Sequence, residues 1–128
     1  MEPADGTIDV LVVEDDTDMR ELSAEALTAA GFNVLTARDG GDGVDLALAH
    51  HPKVILLDIN MPVMSGHEVM DRLRNDAWGR HVKVIFLTNF SNPQDVFKAV
   101  EQGTEEYLIK AHTSLQEIVQ KVRLAIHN

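Results

Sequence analysis

The chain has no cysteine, so disulfide bonds and thiolate metal sites are excluded. It also lacks any apolar run near the roughly 20 residues that a membrane-spanning helix needs. Residues 1–7 include two acidic residues and no basic stretch, which argues against a secretory signal. We therefore expect a cytoplasmic protein without a membrane segment.

Positive charge is also scarce. The chain carries 11 Lys and Arg against 21 Asp and Glu, a formal net charge of -10. Such a surface repels nucleic-acid phosphates, so intrinsic nucleic-acid binding is disfavoured. The length of 128 residues, with 45% hydrophobic and 25% charged residues, is typical of one globular domain. No linker or repeat divides it, so we expect a single domain over residues 1–128.

Short apolar runs rich in Val, Ile and Leu recur along the chain. Their continuity predicts parallel strands that are buried on both faces. The runs are Phe32–Leu35, which is the weakest, and Ile8–Val13, Val54–Leu57, Val82–Leu87 and Tyr107–Ile109.

The segments between these runs have apolar residues three or four positions apart, which predicts amphipathic helices. The predicted buried faces are Met19, Leu22, Ala26, Leu27 and Ala30; Val44, Ala47 and Leu48; Val69, Met70 and Leu73; Val96 and Val100; and Leu115, Ile118, Val119, Val122 and Ile126.

Glycine, proline and acidic residues fall where helices are expected to begin or end. Gly31 and Gly103 follow helical segments, where a left-handed cap is common. Pro93 suits a first helical turn. Asp18 with Glu21 resembles a capping box for the first helix.

The order of elements is therefore strand–helix, repeated five times. Parallel strands joined by right-handed crossover helices form a doubly wound α/β sandwich of three layers. Five strands favour the flavodoxin-like order 2-1-3-4-5. In that order, ligands bind at the carboxyl ends of the strands, between the first and third.

Polar residues follow four of the predicted strands at that edge: Glu14, Asp15 and Asp16 after the first, Asp58 after the third, Thr88 after the fourth and Lys110 after the fifth. Carboxylates held together repel one another, and Mg²⁺, which prefers oxygen ligands, relieves that repulsion. A carboxylate, a cation site, an ammonium group and a hydroxyl are the groups that phosphoryl transfer uses.

Other polar residues are interpreted as structural. Asp16 and Asp18 suit the start of a helix better than a metal site. Trp78 is interpreted as a packing residue. The histidines form no ligand pattern and are predicted to lie on the surface: His50, His51, His67, His81, His112 and His127.

Four sequence motifs occur in order along the chain: VLVVEDDTDMREL, VILLDINMPVMSG, VIFLTN and GTEEYLIK. With this order and spacing, the chain resembles the receiver domain of two-component response regulators. The resemblance runs from about Ile8 to Ile126, so the domain core is expected there.

The resemblance implies a phosphoacceptor and a metal site. Asp58 would accept the phosphoryl group. Glu14 and Asp15 would hold Mg²⁺ together with Asp58, partly through water. The backbone carbonyl of Asn60 would complete the protein's share of the metal ligands.

The resemblance also implies how a signal leaves the site. Thr88 and Lys110 would bind the phosphoryl oxygens, and Tyr107 would turn inward as Thr88 moves towards the phosphate. Pro62 and Gly66 would shape the loop beside Asp58. The change would remodel the face formed by the fourth helix, fifth strand and fifth helix.

The implied partners are a histidine kinase or phosphotransfer protein as donor, and a downstream output protein or domain. Such a domain would promote its own phosphorylation and dephosphorylation without being an ordinary enzyme. It would be a monomer or a dimer that forms on phosphorylation.

Two positions depart from the family pattern. Ala111 replaces the proline that usually follows the lysine, so a trans peptide bond is expected. Asn89, followed by Phe90, replaces a usually small residue and makes the rim of the site bulkier.

Three other functions remain open from the residues. A degenerate receiver would act only as an interaction module, although all the pocket residues are present. A Mg²⁺-dependent hydrolase with an aspartyl-phosphate intermediate would want a second aspartate where Asn60 stands. A flavodoxin-like cofactor binder would want a phosphate-binding loop where Glu14 and Asp15 lie.

The bulky rim generates a prediction about phosphate lifetime. Replacing Asn89 with Ala should change the dephosphorylation rate, because a smaller side chain alters the access of water or phosphodonor to Asp58. The rate is measured by following loss of the phosphoryl group from purified phosphorylated protein. An unchanged rate in the variant would show that Asn89 does not limit access.

Overall fold

The computed structural model describes residues 7–89 and 92–127. Phe90, the second residue of the predicted bulky rim, lies outside the described residues. So do residues 1–6 of the segment that was considered as a secretory signal.

Five parallel strands form one sheet: β1 (Val10–Val13), β2 (Val34–Ala37), β3 (Val54–Leu57), β4 (Lys83–Thr88) and β5 (Glu106–Ile109). Their order is β2-β1-β3-β4-β5, with every neighbouring pair parallel. The predicted flavodoxin-like order is therefore confirmed.

The described part of the chain forms five α-helices and one short 3₁₀ helix. They are α1 (Thr17–Ala29), α2 (Gly40–His50), α3 (Gly66–Arg74), α4 (Pro93–Glu101), α5 (Leu115–His127) and the 3₁₀ helix Lys110–His112. None of these helices has the length and apolar character needed to cross a membrane.

The core lies in two apolar layers, one on each face of the sheet. In β1, Leu11 and Val13 face the layer that α2 and α3 cover, whereas Val10 and Val12 face the layer that α1 and α5 cover. Because side chains alternate along a strand, a strand buried on both faces must be apolar throughout. This arrangement confirms the predicted three-layer sandwich.

The second strand was predicted two residues too early. The backbone N–H of Phe32 donates to the carbonyl of Leu27 at 3.2 Å, so Phe32 closes the end of α1 and the strand starts at Val34. The guanidinium carbon of Arg123 lies over the ring of Phe32, 5.1 Å from the ring centroid.

The predicted buried faces of three helices were wrong at their edges. Leu22 in α1, Leu48 in α2 and Val100 in α4 are exposed. Ser23 and Ala99 are buried beside the first and last of them. A helix of this fold covers the sheet with a narrow stripe, and small residues allow closer contact than the larger neighbours that spacing alone favours.

Helix caps follow the expected chemistry, with one correction. The N-cap of α1 is Asp16, whose carboxylate accepts from the backbone N–H of Met19 at 3.2 Å. The capping box predicted at Asp18 and Glu21 was therefore wrong by two residues, and Asp18 lies in the first turn.

The other three predicted helix signals, Pro93, Gly31 and Gly103, were correct. Pro93 begins α4. Gly31 and Gly103 adopt positive φ angles of 99° and 79° just past α1 and α4. These conformations favour glycine because it has no side chain to clash with the backbone.

His67 is buried, with 7% of its surface exposed, so its predicted surface position was wrong. The remaining five histidines are exposed as expected. Trp78 is a packing residue, as predicted: its ring lies against the core and stacks on His51 at a centroid distance of 4.3 Å.

Gly66 lies where α3 begins against the end of β3. A Cβ atom at this position would lie 2.3 Å from the carbonyl oxygen of Asp58 and 2.8 Å from the Cα of Ile59. Both atoms belong to the backbone, so they cannot move without displacing the strand end. Glycine at this position allows α3 to begin directly beside Asp58.

Replacing Gly66 with Ala should therefore lower the free energy of unfolding by about 2 kcal/mol or more, because the methyl group overlaps backbone atoms. Gly41→Ala is the matched control, since the nearest atom to its Cβ is a side-chain oxygen at 3.5 Å. Alanine in a helix stabilises by up to about 1 kcal/mol relative to glycine. Urea denaturation of both variants tests this, and equal stability would contradict it.

Candidate functional site

Sheet register places the predicted polar residues at one edge. Val13 in β1 is aligned with Leu57 in β3, so Glu14 and Asp58 follow side by side. The backbone N–H of Asp58 donates to the carbonyl of Val13 at 3.1 Å, which extends the pairing by one residue.

Three carboxylates meet at this edge. Glu14 and Asp58 are buried, with 3% and 5% of their surfaces exposed, whereas Asp15 is exposed. One oxygen from each of the three lies within 4.8 Å of the other two. Negative charges at these distances repel one another. Burial makes the repulsion costly, because few waters remain to solvate the charges.

Lys110 is the cation that faces the buried pair. Its Nζ lies 2.5 Å from Oε1 of Glu14 and 3.4 Å from Oδ2 of Asp58. One ammonium group therefore contacts two carboxylates whose strands are not adjacent to β5. Asp15 points to the solvent side of the same cluster.

The pKa values of Glu14 and Lys110 reflect two opposing effects, burial and the charges of their neighbours. Burial raises the pKa of Glu14 to about 7; the hydrogen bond from Lys110 opposes the rise, and the charge of Asp58 adds to it. Burial also acts to lower the pKa of Lys110, but its contacts with Glu14 and Asp58 outweigh that effect and raise it. Glu14 therefore keeps its proton to a higher pH than a glutamate in water does.

Thr88 completes the edge from β4. Its side chain is fully buried, and no described residue gives its Oγ1 a hydrogen bond. A buried hydroxyl without a partner is uncommon in folded proteins, so this oxygen is available for a group that enters the site.

Tyr107 lies half-buried in β5, and its ring packs on Phe86 at 6.1 Å between centroids. Burial, followed by the charges of Asp95 and Asp58, raises the pKa of its phenol. The phenol therefore lies within the electrostatic reach of the acidic cluster and of α4.

The loop after β3 folds back on itself beside Asp58. The backbone N–H of Asn60 donates to Oδ1 of Asp58 at 3.3 Å, and the N–H of Gly66 donates to the carbonyl of Ile59 at 2.8 Å. Pro62 accepts from the N–H of Met64 at 2.8 Å. Pro62 and Gly66 thus both take part in the turn that carries Asn60.

The departures from the family pattern lie close to this edge. Asn89 is exposed and directly follows Thr88. Ala111 lies in the short 3₁₀ helix, and the described residues contain no cis peptide bond, as expected.

Sequence reasoning missed Arg20. One of its guanidinium nitrogens donates to the backbone carbonyl of Glu14 at 2.9 Å and lies 3.4 Å from that of Asp15. This contact ties α1 to the loop that carries two of the three carboxylates. An arginine in the first turns of a helix gives no sequence signal of such a role, because most point to solvent.

The acidic cluster fits a hard divalent cation. Carboxylate oxygens are the ligands that Mg²⁺ prefers, and it commonly keeps several waters beside one or two carboxylates. Among the described residues, Glu14, Asp15 and Asp58 form a group of acids close enough to share one ion. Beside them, Lys110 and Thr88 can donate to the oxygens of a bound phosphoryl group.

Comparison with known proteins agrees with this geometry. Residues 10–123 match the profile of the family described as "Response regulator receiver domain".

Two curated relatives show the same likeness. The chain is 36% identical over 104 residues to the polar-differentiation response regulator DivK of Brucella ovis, covering 81% of this chain and 85% of that protein. It is 39% identical over 114 residues to the transcriptional regulatory protein PrrA of Mycobacterium bovis, covering 89% of this chain and 48% of PrrA.

A solved structure shares the fold over nearly its full length. The chemotaxis protein CheY4 of Vibrio cholerae superposes with a TM-score of 0.86 at 26% identity, covering 93% of this chain and 98% of that one.

The raised pKa of Glu14 predicts how stability depends on pH. Unfolded, Glu14 ionises near 4.5, whereas in the folded protein it holds its proton to about pH 7. Its contribution to the free energy of unfolding is therefore fully present below about pH 4.5 and is lost as the pH rises through 7. We expect a loss on the order of 3 kcal/mol.

Urea denaturation of metal-free protein at several pH values tests this. Glu14→Gln should reduce the loss, because the amide does not ionise. Glu25→Gln, at an exposed position in α1, is the control and should keep it. The same pH dependence in all three proteins would show that another group is responsible.

Proposed function

This chain belongs to the response regulator receiver domain family, a phosphoacceptor domain of two-component signalling, and we propose that Asp58 accepts the phosphoryl group. The observation that carries the proposal is a buried carboxylate at the end of β3 with an ammonium group 3.4 Å away and two further acids beside it. A buried carboxylate with such partners is more often functional than structural.

The receiver family uses acidic residues to bind Mg²⁺, and we assign that role to Glu14, Asp15 and Asp58, with the backbone carbonyl of Asn60. The close grouping of the three carboxylates supports this assignment. When bound, Mg²⁺ neutralises charge on the phosphoryl oxygens and on the carboxylates. Ionisation of Glu14 is then favoured, because a cation replaces part of the solvation that burial removes.

Asp58 acts as the nucleophile. One of its carboxylate oxygens forms a bond to phosphorus while the bond between phosphorus and the donor breaks. Lys110 then donates to a phosphoryl oxygen from the position where it now contacts Asp58 and Glu14. Thr88 donates to another, which gives its buried hydroxyl a partner.

The switch follows from the same two residues. Movement of Thr88 towards the phosphoryl group leaves room beside β4, and Tyr107 turns into it. Tyr107 is half-buried against Phe86, and burial, with the charges of Asp95 and Asp58, raises the pKa of its phenol, which supports its assignment. The change then reaches the surface of α4, β5 and α5, where an output protein or domain binds.

The partners follow from family membership. The proposed donor is a histidine kinase or phosphotransfer protein, and the chain would work in the cytoplasm without binding nucleic acid itself. A dimer, where one forms, would depend on phosphorylation. We also propose that residues 1–128 form a single domain and that this domain promotes its own dephosphorylation.

Incubation with acetyl phosphate and Mg²⁺ should add one phosphoryl group to the intact chain, because the acidic cluster and Lys110 supply what the transfer needs. Intact-mass spectrometry measures the adduct. Asp58→Asn and a sample with EDTA should show none. Asp45→Asn, an exposed acid in α2, is the matched control and should be labelled like the unchanged protein.

An adduct that persists in Asp58→Asn would place the acceptor elsewhere. If no adduct forms at all, binding of beryllofluoride with Mg²⁺ separates two cases. Binding would mean that the small donor is excluded, whereas no binding would make the chain a degenerate receiver that acts only as an interaction module. Steady release of phosphate from small esters would instead favour the hydrolase.

A further inference from the structure

Arg20 contacts three successive backbone carbonyls in the turn between β1 and α1. Its backbone N–H donates to the carbonyl of Asp16 at 2.9 Å. One of its guanidinium nitrogens donates to the carbonyl of Glu14 at 2.9 Å and lies 3.4 Å from that of Asp15. The chain bends at Asp15, and these contacts tie both sides of the bend to a single residue of α1.

This bend determines whether two adjacent acids can serve one site. In an extended chain, the side chains of neighbouring residues point to opposite faces of the sheet. Glu14 and Asp15 are neighbours, yet an oxygen of each lies within 4.8 Å of the other and of an oxygen of Asp58. Both carboxylates reach the same cluster because the chain leaves the extended conformation where β1 ends.

The three acids of the cluster differ in what holds them. The carboxylates of Glu14 and Asp58 each accept a hydrogen bond from a backbone N–H, and both contact Lys110. Asp15 is exposed instead, and Arg20 approaches it through its backbone carbonyl. The position of Asp15 therefore depends more on the bend, and so on Arg20, than the positions of the other two acids do.

The positive charge of Arg20 has the opposite effect from its hydrogen bonds. A positive charge near a cation site repels the ion, so charge alone predicts that removal of Arg20 tightens cation binding. Arg20 is only half-buried, however, and water and salt screen such a charge. Its nitrogens are directed at backbone carbonyls and, at 3.5 Å, at Oγ1 of Thr17. We therefore expect its effect on the shape of the turn to exceed the repulsion.

We propose that Arg20 is a positioning residue for the divalent-cation site: it holds the bend that brings Asp15 beside Glu14 and Asp58 before the cation binds. The protein without metal then already has its acids grouped, and the ion does not have to order the turn. Residues that orient metal ligands without binding the metal typically change its affinity by about 10- to 100-fold when they are replaced. This inference rests on the proposed function, which assigns the cation to these three acids.

The first test measures cation binding directly, without a phosphodonor. ¹⁵N-labelled protein is titrated with MgCl₂, and the NMR shifts of the backbone amides of Glu14 and Asp58 give the dissociation constant. Arg20→Met removes the guanidinium donors, so the dissociation constant should rise by about tenfold. Arg72→Met, at an exposed position in α3, changes the net charge equally and should bind Mg²⁺ like the unchanged protein. Arg20→Lys keeps the charge and a donor, and should recover part of the lost affinity.

The second test separates positioning from general damage to the fold. The initial rate of phosphorylation by acetyl phosphate is measured over a range of Mg²⁺ concentrations. Arg20→Met should need about tenfold more Mg²⁺ to reach half of its maximal rate. Its maximal rate at saturating Mg²⁺ should match that of the unchanged protein, because Arg20 contacts the turn and not the carboxylate of Asp58. A variant with a damaged fold would lose maximal rate instead.

The outcomes distinguish this inference from the proposed function. If the unchanged protein binds Mg²⁺ and Arg20→Met binds it equally well or more tightly, the positioning role is wrong and the metal site stands. A lower maximal rate with an unchanged affinity for Mg²⁺ would also overturn the positioning role. If MgCl₂ shifts no amide at the site in the unchanged protein, the assignment of the metal site fails, and the role of Arg20 fails with it.

Discussion

The site depends on one constraint: two buried carboxylates at a sheet edge share the charge of one lysine, and a third acid lies beside them. The pairing of β1 with β3 brings Glu14 and Asp58 together. The hydrogen bond from the backbone N–H of Asp58 to the carbonyl of Val13 leaves them little freedom to separate. Lys110 offsets part of their repulsion, but burial, with the charge of Asp58 adding to it, still raises the pKa of Glu14. The cluster is therefore poised to take up further positive charge, and a bound cation and phosphoryl group would change its energy more than that of any neutral site.

A second feature is the contrast between the two sides of the sheet edge. Around Asp58 the backbone is tightly fitted, because Gly66 brings α3 within contact of the strand end. On the other side, α4 is held by a polar cluster in which His67 contacts both of its ends. Hydrogen bonds can exchange partners at smaller cost than a packed apolar core can be rebuilt. The fold thus places Asp58 beside a closely fitted backbone and holds α4 through polar contacts.

Apolar pattern predicted the fold well because buried parallel strands must be apolar on both faces. The apolar pattern was less reliable where tertiary contacts decide which of two adjacent apolar residues is buried, or where a strand begins. Phe32 looked like a strand residue but closes the end of α1. Val100 suited a buried face, yet the smaller Ala99 is buried instead. His67 looked like a surface residue because its partners, Asp95 and Gln102, lie 28 and 35 positions further along the chain.

The sequence by itself determined the order of elements, the flavodoxin-like sheet and the polar residues that follow four of the strands, because apolar runs and the residues that end them are local properties. It also carried four motifs from which the receiver family could be inferred. Only the tertiary structure decided how those side chains share charge: that Lys110 contacts Glu14 as well as Asp58, that Thr88 is buried without a described partner, and that the ring of His67 faces two acceptors. Distances, burial and the direction of a hydrogen bond arise between segments far apart in the chain, so no local pattern encodes them.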